Sequence, residues 1–486
     1  MRILVQLALT LVLVPAAFAA PPARGSALDS VLLSSATPET LRTRLGALAA
    51  AAPTPRLASQ AMQLRGMSFE RSAVPDSAIA CYRKANAAGR FSTALTPLVD
   101  VLLRRRGQGD VAEAIQVLEA LQSYEQETGV QSAHADPARL GWAYVVSGQA
   151  KRGLEVLAPL ESRLSEDPAW RYRLARAYLD SGNSTQAAQY LLGLNAEARG
   201  QDREIASLLK HLDSSLGSNA RIKERAQQAL QDHDDAEIAL LGKLKGRRVR
   251  LLASDGAYIG GALFADSTIR RAVPAALVLG GLGDELRDYD SLTVALHASG
   301  FAMFLLDPRG SGWSVAPEFS LPDTWEGRQE ALGARVARDV RDALNAFARV
   351  ARIDTTRVLL IGVGAMAPPA IAAAAQDARI GAMALLDPWT SPVDRGATLA
   401  AARRAPIPAY LQLSVPGHTE AAFADTLLHT FPPKTSRLVE STALGSGAGA
   451  FGSRPDVTPR FVRWLDETFS AKPQRRVIPR AKPRPG

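Results

Sequence analysis

The chain has 486 residues, of which 22% are charged, and it carries a net charge of +9. This length predicts two or three domains. Six basic residues near the C-terminus, together with Arg2, account for seven of the nine net charges, so the rest of the chain is nearly neutral and no nucleic-acid partner is expected.

The N-terminus has the pattern of an export signal. Met1 and Arg2 precede an apolar run at residues 3–14, and small residues follow up to Ala19 and Ala20. This pattern predicts a cleavable signal peptide at residues 1–20 and a periplasmic or secreted location, with an uncleaved membrane anchor as the alternative. Cys81 is the only cysteine, which excludes an intramolecular disulfide.

Residues 26–240 have the composition and periodicity of helices, and a repeat lies within them. Residues 140–144 and the Ser-Gly pair at 147–148 recur at 174–178 and 181–182, an offset of 34 residues at every matched position. This period and pattern resemble the tetratricopeptide repeat. The resemblance implies stacked helix pairs with a concave face that binds a peptide or protein partner, and a spacer array without a ligand is the alternative.

Small residues at matched positions fit this resemblance. Gly141 and Ala175 let the first and second helix of a pair approach closely, and Gly153 and Ala187 do the same from the second helix. Two weaker copies lie upstream, at residues 78–85 and 109–118.

From residue 245 to residue 470 the pattern changes to alternating strands and helices. An Asp-Gly turn at Asp255 separates two short apolar strands, which predicts a hairpin at the start of the domain. The later strands are nearly continuous apolar runs, as expected where helices cover both faces of a parallel sheet. They are predicted at 275–279, 302–306, 358–361, 382–386, 409–413 and 437–440. A doubly wound, mostly parallel sheet follows.

Three segments resemble those of α/β-hydrolases. Residues 280–283 (Gly-Gly-Leu-Gly) resemble the oxyanion loop, residues 307–314 resemble an Asp-x-Arg-Gly-x-Gly-x-Ser segment, and residues 362–367 stand at the nucleophile elbow. The resemblance implies the α/β-hydrolase fold, preceded here by the helical repeat domain. A helix at 336–350 is expected before the elbow strand, with Asp339 and Asp342 facing solvent.

The same resemblance argues against catalysis, because Gly364 occupies the nucleophile position. The resemblance implies a histidine in the loop at 444–451, which contains none. Glu420 or Asp387 is a possible residual acid. In a hydrolase the role of this acid would be to orient that histidine. No catalytic residues are therefore expected, and the predicted role is protein or ligand binding, as a scaffold or adaptor.

Two other functions stay open. Ser311, or Ser314, with His418 as base would make a non-standard catalytic set for esters or peptides, since all three follow strand ends. Alternatively, Gly362, Gly364 and Ala367, followed by Asp387 twenty residues later, match the spacing of a nucleotide-binding fingerprint.

A ligand pocket is predicted at the mouth of the elbow, where the N–H groups of Leu282 and Ala365 could receive a small ligand, lipid or peptide carboxylate. Its residues are Gly281, Leu282, Gly364, Ala365, Asp387 and Trp389. No cofactor is expected, and no metal, because the six histidines are scattered. The basic, proline-rich tail at 471–486 is predicted to be disordered and to contact anionic envelope polymers weakly.

Overall fold

The structure, a computed structural model, describes most of the chain between residues 26 and 470. The described ranges are 26–88, 93–128, 136–217, 221–265, 271–282, 284–314, 328–414, 418–440, 447–453 and 456–470. The predicted signal peptide and the predicted basic tail lie outside them. Within these ranges, no helix is long and apolar enough to cross a membrane.

The described residues before the first strand are largely helical, and consecutive helices pack against each other, for example α3 on α4, α7 on α8 and α10 on α11. The helices are α1 (Ala27–Ser34), α2 (Pro38–Ala50), α3 (Pro55–Arg71), α4 (Pro75–Ala87), α5 (Leu95–Arg105), α6 (Asp110–Thr128), α7 (Pro137–Val146), α8 (Ala150–Leu157), α9 (Glu161–Leu164), α10 (Pro168–Asp180), α11 (Ser184–Glu197), α12 (Arg203–Leu216) and α13 (Ile222–Lys243). The predicted helical half is confirmed.

Several of these helices begin at a proline that follows a capping side chain. Asp136 Oδ1 accepts a hydrogen bond from the N–H of Ala138 at 3.0 Å, at the start of α7. Asp167 Oδ1 accepts one from the N–H of Ala169 at 2.8 Å, at the start of α10. The cap satisfies an N–H that has no partner within the helix, and a proline at the first position has no N–H to satisfy.

The two small residues predicted to bring helices together do so in the pair α7 and α8. A Cβ added at Gly153 would lie 2.6 Å from the carbonyl oxygen of Gly141 and 3.0 Å from the backbone N of Val145. A Cβ at Gly141 would lie 2.7 Å from Leu157 Cγ. Glycine at both positions therefore lets the two backbones meet directly.

This contact makes Gly153→Ala strongly destabilising for the repeat. The added methyl group meets backbone atoms that cannot rotate away, and overpacking of this kind costs about 1 to 3 kcal/mol. Gly193→Ala is the matched control, because a Cβ at that position in α11 has no heavy atom within 4 Å. Alanine there should stabilise the helix by up to about 1 kcal/mol. Thermal unfolding followed by circular dichroism compares the two, and similar shifts in both variants would contradict the close packing.

The second half forms one eight-stranded sheet with the order β1-β2-β4-β3-β5-β6-β7-β8. Its strands are β1 (Gly246–Leu252), β2 (Tyr258–Phe264), β3 (Val273–Leu279), β4 (Ala302–Leu306), β5 (Ile353–Val363), β6 (Ile380–Leu386), β7 (Ala409–Leu413) and β8 (Arg437–Glu440). The hairpin of β1 and β2 pairs antiparallel with β4, and the remaining pairs are parallel. A hairpin that leads into a doubly wound parallel sheet is the predicted α/β-hydrolase fold, which is confirmed.

Helices cover both faces of this sheet. They are α14 (Asp290–Ala298), α15 (Gln329–Val350), α16 (Ala367–Ala374), α17 (Arg395–Arg403), α18 (His418–Leu428), α19 (Ala450–Ser453) and α20 (Val457–Phe469). Successive residues of a strand point to opposite faces, so Leu277 packs on one buried cluster and Val278 on the other. This two-sided burial explains the unbroken apolar runs of the sequence.

The prediction that Asp339 and Asp342 of α15 face solvent is wrong for Asp339, which is buried, whereas Asp342 is partly exposed. Asp339 is 3% exposed, and its carboxylate accepts two hydrogen bonds from Arg309, at 2.8 Å from Nε and 2.6 Å from Nη2. Arg309 also pairs with Asp255 in the hairpin turn at 2.9 Å. Asp342 is partly buried and accepts the N–H of Ser254 at 2.8 Å. Both carboxylates therefore lie on the side of the hairpin. Asp339 neutralises the buried Arg309, and Asp342 accepts a backbone N–H of the turn.

The helical half and the sheet domain touch at two separate places. At the first, α1 packs on α17, and a Cβ at Gly396 would overlap the carbonyl oxygen of Ser35. Arg71 of α3 forms an ion pair with Asp394, just before α17. At the second, Nε of Arg199, which follows α11, donates to the carbonyl oxygen of Gly312 at 3.1 Å.

Candidate functional site

The strand β5 ends in a turn with the backbone of a nucleophile elbow. Gly364 follows β5 with a φ of +55°, and a short 3₁₀ turn connects it to α16. A Cβ added at Gly364 would have no heavy atom within 4 Å, whereas one at Gly362 would lie 2.8 Å from Ala370 Cβ. A left-handed residue with free space above it is the conformation that exposes a nucleophile in this fold. Here the position carries no side chain.

Asp387 follows the next strand, β6, and its carboxylate is fully engaged by the backbone and by one hydroxyl. Oδ1 accepts the N–H of Ser414 at 2.5 Å, and Oδ2 accepts the Ser414 hydroxyl at 2.6 Å. Oδ2 also accepts the N–H of Gly447. Gly447 lies in the segment after β8 where the resemblance implied a histidine. The carboxylate therefore binds the backbone of that segment, in the place where an acid would orient an imidazole.

The space around Gly447 is also closed. Gly447 has a φ of +57°, and a Cβ added there would lie 2.8 Å from Cγ1 of Val363. A larger residue at this position would have to displace the end of β5 next to the elbow. Residues 444–446 of the predicted histidine loop lie outside the described residues.

The first two N–H groups of the predicted oxyanion loop are engaged within the protein, that of Gly280 with the carbonyl oxygen of Leu306 at 3.1 Å. The N–H of Gly281 donates to the Tyr289 hydroxyl at 2.8 Å and to Asp284 Oδ2 at 3.1 Å. The Tyr289 hydroxyl in turn donates to Asp284 at 2.5 Å. Burial raises the pKa of both groups, Tyr289 well above its usual value. The N–H of Gly281 is therefore not available to a ligand.

Trp389 caps the other side of the elbow. Its N–H donates to the carbonyl oxygen of Gly364 at 3.1 Å, and its side chain is 46% exposed. Ala365 lies in the first turn after Gly364, where N–H groups have no partner within the helix. Of the six predicted pocket residues, Gly364, Ala365 and Trp389 thus meet at the elbow, while Gly281 and Asp387 are engaged within the protein.

A cavity of about 220 Å³ lies instead between the helical half and the sheet domain. Leu282 is the one predicted pocket residue that lines it. The helical half contributes residues of α10, α11 and α13, and the sheet domain contributes the loops after β3 and β4. The cavity therefore stands beside the elbow, over the β3 and β4 side of the sheet.

Arg199 holds the two sides of this cleft together. Its Nη1 donates to Asp234 at 2.7 Å and its Nη2 to Glu237 at 2.5 Å, both on α13. Its guanidinium carbon lies 4.4 Å from the centre of the Trp313 ring, and Arg248 of β1 covers the same ring. This cluster could not be predicted from a local pattern, because Arg199 lies 113 residues from Gly312, which it contacts.

Asp307 is the carboxylate at the bottom of the cleft, directly after β4. Its Oδ2 accepts the N–H of Trp313 at 2.7 Å. Burial raises its pKa to about 7, which the nearby Arg199 guanidinium only partly offsets. Asp307 begins the segment at 307–314 that resembles α/β-hydrolases, but that resemblance did not predict its place in a cavity.

A second groove, of about 280 Å³, lies on the helical half alone, between α7, α10 and α12. Trp142 and Tyr172 line it together with Arg106 and Arg176. The guanidinium carbon of Arg106 lies 5.9 Å from the Trp142 ring centre. The Tyr172 hydroxyl donates to Glu204 of α12. Asp180, which pairs with Arg176 at 3.4 Å, and Glu204 also line the groove, so both signs of charge surround the partly buried Tyr172.

Comparisons with known proteins match the two halves separately. Residues 144–212 match the family model of the tetratricopeptide repeat. A comparison with curated proteins found no match. The chain joins tetratricopeptide repeats to an α/β-hydrolase fold.

Solved structures similar to the chain are of hydrolases. The esterase Pf2001 of Pyrococcus furiosus is 14% identical, with 47% of this chain and 95% of that chain covered and a TM-score of 0.37. The α/β-hydrolase GrgF of Penicillium sp. sh18 is 16% identical, with 46% and 99% covered and a TM-score of 0.37. A 2,6-dihydroxy-pseudo-oxynicotine hydrolase is 14% identical, with 66% and 91% covered and a TM-score of 0.38. The fold assignment stands on the strand order, and not on these scores.

The residues of the alternative catalytic set are engaged elsewhere in the hydrolase-like domain. Ser311 Oγ donates to the carbonyl oxygen of Pro308 at 3.1 Å. Ser314 is buried, and its Oγ donates to the carbonyl oxygen of Asp307 at 2.7 Å. His418 and Glu420 lie in the first turn of α18 rather than in a loop, and their side chains lie outside the described residues. His429, after the last turn of α18, is exposed.

The nucleotide hypothesis meets a similar obstacle. A dinucleotide site of this pattern uses the acid after the following strand to bind ribose hydroxyls. Asp387 is that acid, and its two oxygens already accept three donors from Ser414 and Gly447.

One group of possible metal ligands lies in the described residues, on α13. Ligand atoms of His233, Asp234 and Glu237 lie within 4.8 Å of one another. Both carboxylates pair with Arg199, and Arg248 lies 3.0 Å from Asp234. Two guanidinium groups at the carboxylates disfavour a metal ion by charge repulsion. The absence of a metal stays a prediction.

Proposed function

We propose that the protein is an exported, non-catalytic member of the α/β-hydrolase fold that acts by binding, with its tetratricopeptide repeats as the partner-binding part. The observation that carries the proposal is Gly364, whose backbone has the elbow conformation and whose side chain is absent. Nucleophilic catalysis in this fold needs an oxygen or sulfur at that position and a base within hydrogen-bond reach of it.

The surroundings of the elbow support the same conclusion. Asp387 satisfies its carboxylate with the backbone of Ser414 and Gly447 instead of an imidazole. Where side chains are described, no histidine nitrogen is hydrogen-bonded to a hydroxyl. An acid without a histidine has no catalytic role in a triad, but it still fixes the loop after β8 against the loop after β7. This arrangement keeps the fold while removing the reaction.

The groove on the repeats supports a protein or peptide partner. Repeats of this type generally mediate contacts between proteins, and stacked pairs present a continuous groove. The partly buried Tyr172 contributes an aromatic side chain, and Arg106, Arg176, Asp180 and Glu204 place charges of both signs around it. Aromatic and arginine side chains carry much of the binding energy of protein interfaces. The export part of the proposal rests on the N-terminal pattern at residues 1–20.

The proposal predicts that neither the natural protein nor Gly364→Ser hydrolyses esters. The restored hydroxyl would have room above the turn, but it would have no base to take its proton. Purified protein should give p-nitrophenyl butyrate hydrolysis at the protein-free rate, and a fluorophosphonate probe should label neither form. The serine variant should lose about 1 to 2 kcal/mol of stability, because φ is +55° at this position.

Ser311→Ala and His418→Ala separate this result from the alternatives. Saturable turnover by the natural protein that disappears in either variant would establish the non-standard catalytic set instead. A saturable rise in melting temperature with NAD, lost in Asp387→Asn, would support the nucleotide hypothesis. The proposed function predicts neither effect.

A further inference from the structure

β1 is an edge strand, and its outer side has no partner strand in the described residues. It is the first strand in the order of the sheet and pairs with β2 alone. Arg250 stands opposite Gly260, whose carbonyl oxygen accepts the N–H of Asp307 at 3.1 Å, on the other side of β2. In an antiparallel pair, the main-chain groups of successive residues alternate between the two sides of a strand. The N–H and C=O groups of Arg248, Arg250 and Leu252 therefore point away from β2, on the open side of β1.

One face of this edge leaves apolar side chains uncovered. Leu252 and Tyr258 stand opposite each other at the end of the hairpin, and they are 61% and 53% exposed. Arg250 lies on the same face, two residues before Leu252, because successive side chains of a strand alternate between faces. Its guanidinium carbon lies 4.1 Å from the centre of the Tyr258 ring. These three side chains, here called the edge patch, combine apolar area with a cation.

The arginine of the edge patch has no acidic partner in the described part of the chain. The neighbouring Arg248 pairs with Asp234 at 3.0 Å and with Glu237 at 3.5 Å. Arg250 is exposed, and no described carboxylate forms an ion pair with it. Tyrosine and arginine are enriched among the residues that carry the binding energy of protein interfaces. An unpaired cation beside exposed apolar side chains fits a ligand with a carboxylate and an apolar group of its own.

We propose that the open side of β1 binds an extended acidic segment of a protein partner, which adds to the sheet as a further strand. Main-chain hydrogen bonds to Arg248, Arg250 and Leu252 would hold this strand, as in other cases of β-strand addition. Residues two apart in a strand share a face, so the partner would place a carboxylate opposite Arg250 and a bulky apolar side chain opposite Leu252. The inference goes beyond the proposed function, which places a partner on the repeats, and does not depend on it.

Charge disfavours two other occupants of this edge. In a second copy of the chain, an antiparallel pair of β1 strands would bring Arg247, Arg248 and Arg250 of both copies together, and like charges directly opposite are destabilising. The C-terminal segment at residues 471–486 has six basic residues and no acid, so it would meet the same repulsion. Charged side chains on an edge strand discourage non-specific pairing. Arginines do so for neutral and basic strands, and an acidic strand is the kind that they admit.

Fluorescence anisotropy of the full chain with a labelled seven-residue peptide tests the inference. The peptide has glutamate at its second and sixth positions, phenylalanine at its fourth and threonine elsewhere, so that both glutamates share a face with phenylalanine in either strand direction. The control peptide has the same composition, with each glutamate next to the phenylalanine and therefore on the opposite face. We expect saturable binding of the first peptide and roughly tenfold weaker binding of the second. This comparison uses the natural protein alone, so it does not depend on the folding of any variant.

Substitutions at the edge test the side chains and the main chain separately. Arg250→Glu should weaken binding of the first peptide roughly tenfold, because an attractive cross-strand pair becomes a repulsive one. Arg463→Glu is the matched control and should leave the affinity unchanged. This arginine is exposed on α20, next to Trp464, which contacts Tyr410 of β7 in another part of the sheet. Leu252→Pro removes an N–H on the open side, where an edge strand tolerates proline. It should bind about fivefold more weakly than Leu252→Ala, through the loss of one hydrogen bond.

Hydrogen–deuterium exchange locates the bound peptide. Binding should slow exchange in residues 246–252 of β1 and leave β8, at the opposite end of the strand order, unchanged. Slower exchange confined to α7, α10 and α12 would place the peptide in the groove of the repeats and overturn the inference. Equal affinity for the two peptides, or no binding at millimolar concentration, would also overturn it. So would a dimer in analytical ultracentrifugation that Leu252→Pro dissociates, because the edge would then belong to a second copy.

Discussion

Arg199→Ala should lower the free energy of unfolding by about 3 to 5 kcal/mol, the usual effect of removing one partner from a largely buried ion pair. The Arg199 side chain is 13% exposed and pairs with both Asp234 and Glu237. It also donates to the carbonyl oxygen of Gly312 in the hydrolase-like domain and covers Trp313. Alanine would leave two carboxylates with Arg248 alone and would break the link from the repeats to the loop after β4.

Chemical denaturation followed by circular dichroism measures this effect. Arg460→Ala is the control, because its ion pair with Asp456 is exposed and bridges positions i and i+4 of one helix region. Such pairs contribute about 0.3 to 0.5 kcal/mol. Limited proteolysis should also cleave the Arg199 variant faster between the two domains, since the cleft contact is lost. Equal stability of the two variants would show that Arg199 does not join the domains.

The sequence predicted the features that depend on local pattern. The repeat was visible because each helix pair needs the same small residues at the same positions, and Gly141 and Gly153 make the contact that this pattern indicated. The sheet was visible because strands buried on both faces are apolar throughout. The absence of a nucleophile at the elbow could be predicted because it depends on one position, Gly364. These are properties of single residues or of short periods.

Features that depend on distant pairs were not predictable in this way. Asp339 looked like a solvent-facing helix residue, and its burial depends on Arg309, thirty positions earlier, whose guanidinium needs a buried acid. Asp387 and Gly447 meet across 60 residues. Neither pair follows a repeating pattern in the sequence, because the topology of the sheet brings the two residues of each pair together.

One local signal did point toward the cleft. β2 contains Gly260 and Gly261, and glycine inside a strand often marks a place where another backbone approaches closely. The loop after β4 lies against Gly260, whose N–H donates to Ser314 Oγ at 2.9 Å. A Cβ at Gly260 would overlap the backbone of Trp313. This close approach positions the loop that carries Asp307 and Trp313 under the repeats.

Asp307→Asn should make the protein more stable at pH 8 and leave it unchanged at pH 4. Burial raises the pKa of Asp307 to about 7 in the folded protein, compared with 3.8 as its ordinary value. Below pH 4 both states are protonated and the group contributes nothing. Between pH 4 and pH 7 the unfolded chain loses its proton while the folded protein keeps it, so the free energy of unfolding falls as the pH rises.

The full cost of keeping Asp307 ionised in the folded protein is therefore present above pH 7. It lowers the free energy of unfolding by an amount on the order of 2 to 4 kcal/mol, after allowance for solvent at the cleft. Three charged groups act on the pKa of Asp307: Arg199 and Arg248 lower it, and Glu237 raises it. Denaturation curves of the natural protein and the asparagine variant at pH 4, 6 and 8 measure this cost. A difference in stability that does not change with pH would mean that Asp307 is not a buried, ionising carboxylate.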